Sequence, residues 1–456
     1  MMRLSQAAAA LNAIHPNSVQ WMGEDVAFNS VGTDSRNIQK NQLFVALKGD
    51  KFDGHQFAEQ AFEAGAAAVM VNADSASENL KAALVVADTY QGLGQLSAYW
   101  RSQLSMPIIA VTGSNGKTSV KEMLASILKV AAGDAEKVLA TQGNLNNHIG
   151  VPLTILKINA QHNFAVVEMG MNHAGEIAYL TKLAKPNVTI INNAGDAHLG
   201  ELGSYEAIAK AKGEILEGLV DSGTAILNAD DVFYPLWKSL AKDKKIITFG
   251  LNKPSDVTAT YQLNEMDSEI LLKTPSGEID IHLPAPGLHN VMNALAASSA
   301  ALAVGVSFTA IQQGLAAYQG AKGRLQSFKG FNGALVIDDT YNANPMSMKV
   351  AIDVLSARAG KNILVLGDMG ELGQDEITMH EEIGSYAKNA EIDALFTLGN
   401  KSAYMTAAFG DGAKHYNDFD LLVNDVRETM QANTTVLVKG SRFMAMEKVV
   451  KAIIEE

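Results

Sequence analysis

The chain has 456 residues, 47% of them hydrophobic and 19% charged, with a net charge of −13 and no cysteine. At roughly 150 residues per domain this length predicts about three folded units. The acidic balance argues against a nucleic-acid partner, and the missing thiols exclude disulfides, thiolate metal sites and a cysteine nucleophile.

The N-terminal "MMRLSQAAAALNAIHPNS" reads as an amphipathic first helix, because Asn12 interrupts a weakly apolar stretch that would otherwise suggest a signal peptide. No window approaches the roughly 18 uninterrupted apolar residues of a membrane-spanning helix, so a soluble, cytoplasmic protein without membrane insertion is expected. Apolar runs then alternate with helical patterns: "QLFVAL" (42–47), "AAVMV" (67–71), "ALVVA" (83–87), "PIIAVT" (107–112), "FAVVEM" (164–169), "NVTIIN" (187–192) and "KIITFG" (245–250). Such alternation predicts parallel sheets wrapped by helices. Over 256–283 the pattern changes to "DVTATYQL", "EILLKT" and "EIDIHL" around a "PSG" turn, which reads as an antiparallel appendage to the middle unit. A helical stretch over 289–318 ends in the glycine-bearing linker "YQGAKGRLQ", and a second alternation runs through "GALVIDD", "NILVLGD", "DALFTLG" and "TTVLVKG". The expected α/β architecture has a small N-terminal domain (1–85), a central domain built on a mostly parallel sheet (86–320) and a C-terminal Rossmann-like domain (321–456).

The segment "AVTGSNGKTSVKEML" (110–124) lies between a predicted strand and a predicted helix. In that context glycines let backbone N–H groups converge on an anion at the helix N-terminus, a lysine neutralises phosphate and a hydroxyl meets magnesium. Those parts are Gly113, Ser114, Asn115, Gly116, Lys117, Thr118 and Ser119. The general P-loop pattern is incomplete, since Val111 stands where its first glycine belongs. Glu168 ends the strand "FAVVE" at the edge where such sheets bind ligands, and it offers oxygen to a hard cation. His198 lies in a nearby glycine-flanked loop.

Downstream, a helix starting at Ser204 puts Tyr205, Ile208, Ala209, Lys212, Ile215, Leu216 and Leu219 on one stripe. Lys210 falls on the opposite face, with Glu206 and Glu214 as solvent-side partners. A lysine at 212 either snorkels to water or, if desolvated, loses proton affinity. A neutral amine reacts with carbon dioxide to give a carbamate, an anionic metal ligand.

The set "TGSNGKTS", "TQGNLNNHIGVPLT", "VVEMGMNHAGEI", "HLGELGSYEAIAKAKGEI", "PGLHNVMNALAA", "KGRLQ" and "DDTYNANP" closely resembles the Mur ligase family, ATP-dependent amide-forming enzymes of peptidoglycan precursor synthesis. The resemblance runs from about residue 30 to the C-terminus. With "TDSRNIQKNQLFVALKGDKFDGH", "GDMGELG" and "LVKGSRFMAMEKVV" it implies three small-molecule substrates: UDP-N-acetylmuramoyl-tripeptide (UDP-MurNAc-tripeptide), D-alanyl-D-alanine (D-Ala-D-Ala) and ATP. A "DNPR" sequence, expected of the member that adds the diamino acid, is absent. The resemblance assigns nucleotide contacts to the glycine loop, Asn290, Asn293, Arg324 and Asp338, and a pair of Mg²⁺ ions to Thr118, Glu168, His198 and Lys212 as its carbamate. It assigns the UDP-sugar to Thr33, Ser35, Arg36, Asp53 and His55 with Asn144 and Asn147, and the dipeptide to Tyr341 and Asn344. Close relatives often have Arg where this chain has Leu288. A monomer is expected. Rival readings are another ligase step of the family, a P-loop ATPase without ligase activity, and a UDP-sugar-binding scaffold in which Lys212 is dispensable.

Overall fold

The computed structural model describes residues 1–14, 19–50, 52–195 and 199–455. Three large sheets of five or six strands, one per unit, organise the described residues. The N-terminal sheet has five strands in the order Val19–Gly23, Ala82–Val86, Ala68–Asn72, Gln42–Val45, Ser30–Gly32, antiparallel at the first pair and parallel beyond it. The amphipathic N-terminal helix, Leu4–Ile14, is present and buries Leu4, Ala7, Ala8 and Leu11.

The central sheet is wholly parallel, in the order Val138–Ala140, Phe164–Glu168, Ile108–Thr112, Val188–Ile191, Thr224–Asn228, Lys245–Phe249. Side chains alternate across a strand. Ile109 and Val111 therefore enter one core with the helices Lys117–Ala132 and Leu288–Ala303, while Ile108 and Ala110 enter the other with Ile177, Ile208, Ile215 and Trp237. The antiparallel strands Thr258–Leu263, Ser268–Thr274 and Gly277–Leu283 form the expected appendage. Their inner residues Ile270, Leu272, Ile281 and Leu283 join the first of those cores.

In the C-terminal sheet the order is Gln326–Lys329, Leu335–Asp339, Thr434–Lys439, Lys361–Gly367, Ala394–Leu398, Ala413–Tyr416, with only the first pair antiparallel. The helical stretch 289–318 is two helices, Leu288–Ala303 and Phe308–Ala316; Gly305 at φ +80° turns the chain between them and Ser307 caps the second. Arg101 joins the first helix after the N-terminal sheet to the middle unit, donating to the carbonyls of Ala184 (2.8 Å) and Lys185 (3.1 Å) and to Asn187 Oδ1 (3.2 Å).

Candidate active site

The strand Ile108–Thr112 lies between Phe164–Glu168 and Val188–Ile191, so the loop leaving its carboxyl end meets the ends of both neighbours. Gly116 is the N-cap of the helix Lys117–Ala132 at φ +77°, and a Cβ there would lie 2.3 Å from Asn293 Oδ1 and 2.5 Å from Asn192 Nδ2. Only glycine meets both demands. The loop is tied to the adjacent strand: Ser114 N donates to Asn193 O (3.0 Å), Asn115 N to Asn193 Oδ1 (2.8 Å), and Asn192 Nδ2 to both Asn115 O and Asn293 Oδ1 (3.0 Å each). Lys117 Nζ folds back on the carbonyls of Gly113 (2.6 Å) and Ser114 (3.3 Å). Burial holds its pKa at about 8, with Arg324 lowering it further and Glu168 and Glu371 working the other way. Ser119 is buried beside Tyr318, whose phenol burial pushes up to about 12.

Glu168 is 1% exposed and its carboxylate accepts from Thr118 Oγ1 (3.0 Å) and Asn146 Nδ2 (2.8 Å). Its backbone N–H donates to Thr141 Oγ1 (2.9 Å), and the Thr141 carbonyl accepts from the buried Lys121 Nζ (2.7 Å). The acid is thus oriented from three sides, and with the Thr118 hydroxyl it presents the oxygen donors a magnesium ion takes. Lys212 is 2% exposed on the helix Tyr205–Gly213, which Ser204 caps through Ala207 N. Burial, then the charge of Lys117, lowers its pKa well below the ordinary lysine value. It makes no hydrogen bond among the described residues. His198 lies outside the described residues.

Two details of this helix depart from the expected stripe. Tyr205 is exposed at the helix start. Lys210 does pair with Glu206 (2.8 Å), but Glu214 instead accepts from Gly175 N (2.7 Å) and Ala178 N (3.1 Å), capping the neighbouring helix Glu176–Ala184.

From the C-terminal unit, Arg324 Nη2 donates to Thr118 Oγ1 (3.2 Å) while its guanidinium stacks 4.2 Å from the Tyr341 ring centroid. Asn344 caps the helix Pro345–Ser356 and donates through Nδ2 to Asn115 Oδ1 (3.0 Å). Asp338 does not reach the loop; its Oδ1 accepts from Thr340 N (3.0 Å) and Oγ1 (2.5 Å). Asn290 is buried, donating to Pro286 O (2.8 Å) and accepting from Asn293 Nδ2 (3.4 Å). Leu288 is exposed at the start of the same helix and supplies no charge.

The N-terminal set forms a separate cluster. Asp53 Oδ1 meets His55 Nδ1 at 2.7 Å, and His55 Nε2 accepts from Asn72 N (3.1 Å), so both ring nitrogens are engaged within the domain. Arg36 is a fork on Asp34 (2.9 Å for both bonds), with Thr33 and Ser35 half-buried beside it. Asn144 and Asn147 are exposed; Asn147 Oδ1 accepts from Gly150 N (2.9 Å) at the start of the helix Gly150–Leu156. The structure therefore gathers Lys117, Thr118, Glu168, Arg324 and Asn344 at one loop, with Asn293 behind it, and leaves the N-terminal residues and Asp338 outside that contact.

Sequence reasoning overlooked Asn146, Asn192, Asn193, Thr141 and Lys121. Asn146 stands inside the quoted "GNLNNH", and Asn192 and Asn193 directly follow an apolar strand, the one local signal that could have drawn attention to them.

Comparison with known proteins matches residues 111–301 to the Mur ligase middle domain, 323–442 to the Mur ligase glutamate ligase domain and 27–100 to the Mur ligase family catalytic domain. The chain is 41% identical over 456 residues to the UDP-N-acetylmuramoyl-tripeptide–D-alanyl-D-alanine ligase of Escherichia coli strain K12, covering 99% of this chain and 98% of that one. It is similar in structure to the UDP-N-acetylmuramoylalanyl-D-glutamyl-2,6-diaminopimelate–D-alanyl-D-alanyl ligase from Acinetobacter baumannii, with TM-score 0.86, 37% identity and coverage of 98% and 96%. It also resembles the MurF ligase from Thermotoga maritima in complex with ADP, with TM-score 0.82, 27% identity and coverage of 93% and 96%.

Proposed function

The chain belongs to the Mur ligase family, and from that premise we propose that it joins D-Ala-D-Ala to UDP-MurNAc-tripeptide, converting ATP to ADP and phosphate. The observation that carries this reading is the convergence on one hydroxyl, Thr118 Oγ1, of a buried carboxylate from the same domain and an arginine from the next.

A carboxylate does not react with an amine because oxide is too poor a leaving group. ATP supplies the remedy by phosphorylating it. Bringing the nucleotide's γ-phosphate to an anionic acid is chiefly a matter of positioning and charge neutralisation. Lys117 and the loop N–H groups hold the phosphates, Arg324 adds positive charge from the C-terminal side, and Asn290 and Asn293 form the adenine end. The buried oxygens of Glu168 and Thr118 fit magnesium, and His198 and a carbamate on Lys212 complete the set for two ions. Bound there, magnesium neutralises charge on the transferring phosphoryl group. The depressed pKa of Lys212 supports the carbamate, because only the unprotonated amine adds carbon dioxide, releasing a proton as the N–C bond forms.

The dipeptide amine then attacks the acyl phosphate, and the tetrahedral adduct collapses to amide and phosphate. Tyr341 and Asn344 flank the dipeptide's approach and Asp338 contacts the nucleotide. The first domain (1–85) holds the UDP-sugar through Thr33, Ser35, Arg36, Asp53 and His55, with Asn144 and Asn147 completing that site from the central domain (86–320). The C-terminal domain (321–456) excludes water from the acyl phosphate. We place the enzyme in the cytoplasm as a monomer; among the described residues no helix is long and apolar enough to cross a membrane.

The test is ADP release with UDP-tripeptide and dipeptide omitted in turn. Sustained turnover is expected only with both, together with formation of the pentapeptide product. Rapid ADP release without either peptide would leave a simple ATPase.

A further inference from the structure

On the far side of Asn146 from Glu168, a cavity of about 250 Å³ has a lining that includes Asn147, His148, Gly170, Glu176, Tyr179 and Leu180. Its place between two other features gives it meaning. On one side, Gly170 N donates to Asn146 O (2.8 Å), and the Asn146 side chain holds the Glu168 carboxylate. A Cβ at Gly170 would lie 2.9 Å from Asn146 Oδ1, so this wall packs directly on the residue that holds Glu168. On the other side, the His148 ring stands 5.5 Å from that of Tyr90, whose hydroxyl donates to Lys48 O (2.9 Å), and Lys48 Nζ is 3.8 Å from Asp53. The cavity thus lies between contacts that lead through His148 and Tyr90 to Lys48 of the N-terminal domain and contacts that lead through Asn146 to Glu168, beside which the ligase reading puts the carboxylate to be phosphorylated.

Its charge is one-sided. Among the described residues Glu176 is the only carboxylate in the lining, and no lysine or arginine lines it. Glu176 Oε2 accepts from Asn172 N (2.7 Å), whereas Oε1 has no partner among the described residues. Nor is Glu176 needed to cap its own helix, since Glu214 already takes the N–H groups of Gly175 and Ala178. A half-buried carboxylate oxygen left free in a cavity suits a cationic donor.

We propose that this cavity receives the side chain of the third residue of the tripeptide and that Glu176 binds its distal ammonium group. The proposal rests on the ligase reading above. The pyrophosphate, the glutamyl carboxylate and the reacting carboxylate of the substrate are all anionic, and Glu176 would repel each of them. The cation of a diamino acid at the third position matches it, with Tyr179 and Leu180 facing the methylenes. Lysine and diaminopimelate share this ammonium; the carboxylate that diaminopimelate carries on the same carbon then turns away from Glu176 toward the cavity's open side.

The experiment measures binding of three UDP-tripeptides by calorimetry, with lysine, diaminopimelate or norleucine at the third position, to the wild type and to Glu176→Gln. Glutamine keeps the acceptor for Asn172 N but removes the charge. The wild type should bind both diamino peptides at least about tenfold more tightly than the norleucine peptide, the worth of one charged hydrogen bond. Glu176→Gln should erase that preference while leaving norleucine-peptide affinity, ADP binding and melting temperature unchanged. A wild type indifferent to the ammonium, or a variant that keeps the preference or weakens all three peptides equally, overturns the proposal. Failure of the wild type to bind any UDP-peptide would instead sink the ligase reading, and this proposal with it.

Discussion

Arg324 and Thr118, 206 residues apart in sequence, meet at 3.2 Å across the boundary between the middle and C-terminal units. The same threonine hydroxyl donates to Glu168, so one small side chain joins the phosphate loop, the buried acid and the next domain. Stacking on Tyr341 holds the guanidinium plane in place. Arg324→Lys keeps the charge but loses the planar fork and the stack. Steady-state ligase assays should show kcat/KM for ATP reduced about tenfold in Arg324→Lys and by roughly 10²-fold or more in Arg324→Ala. Wild-type rates in Arg324→Ala would show that the contact plays no part in turnover.

Thr118→Val replaces the hydroxyl with a methyl group of similar size. Glu168 then loses one of its orienting donors, and the proposed magnesium site loses an oxygen. The apparent magnesium affinity, read from Mg²⁺ titrations of ADP binding, should fall about 10- to 100-fold, the usual cost of disturbing a metal's supporting contacts. Thr118→Ser should restore most of it.

Lys121 is 1% exposed, pairs with Glu122 at 2.8 Å and donates to Thr141 O at 2.7 Å. Lys121→Met preserves the stem but orphans that buried carbonyl. Glu122 is partly exposed and can turn to water, so the carbonyl sets the cost, about 1–3 kcal/mol of stability. Chemical denaturation should show a lower midpoint with an unchanged slope.

How much of this was legible in the sequence depended on whether a feature is local. The runs around Ile108–Thr112 and Phe164–Glu168 announce themselves because strands buried on both faces are continuously apolar. Thr224–Asn228, equally buried, was overlooked within "SGTAILNADD", and Val138–Ala140 is only three residues long. The edge strands Gln326–Lys329 and Ala413–Tyr416 are half-exposed and polar, so they carry little pattern. Lys212 was found because helical periodicity alone places it inward. Asn146, Asn192 and Asn193 act through sheet order: the pairing of Val138–Ala140 with Phe164–Glu168 brings Asn146 to the acid, the pairing of Val188–Ile191 with the loop-bearing strand brings Asn192 and Asn193 to the loop, and in sequence an asparagine after a strand reads as a turn.

Lys117 couples both folding and nucleotide binding to pH. Its pKa in the folded protein is about 8, against 10.5 for an ordinary lysine. Between those values the native state binds fewer protons than the unfolded chain, so this residue makes stability rise with pH above about 8. Nucleotide binding runs the other way. Phosphate charge favours the ammonium form, so ADP affinity should fall as pH rises through about 8, with proton uptake on binding. Calorimetry in buffers of different ionisation enthalpy measures that uptake directly. Its absence at pH 8.5 would mean that the amine stays charged throughout.

Lys212 holds a buried amine that lacks a hydrogen-bond partner among the described residues. If it acts as a carbamate, the essential atoms are the anionic oxygens rather than the nitrogen. Lys212→Ala should lose at least about 10²-fold in kcat, the scale seen when a charge-stabilising group at a transferring phosphoryl centre is removed. It opens a buried space the length of a lysine stem, into which acetate or propionate fits. Millimolar short carboxylates should therefore recover part of the activity, whereas methylamine or ethylamine should not. Arg in place of Lys212 retains positive charge but cannot add carbon dioxide at neutral pH, and should stay inactive under either treatment. Rescue by amines instead of carboxylates would assign Lys212 a cationic role and remove the carbamate from the mechanism.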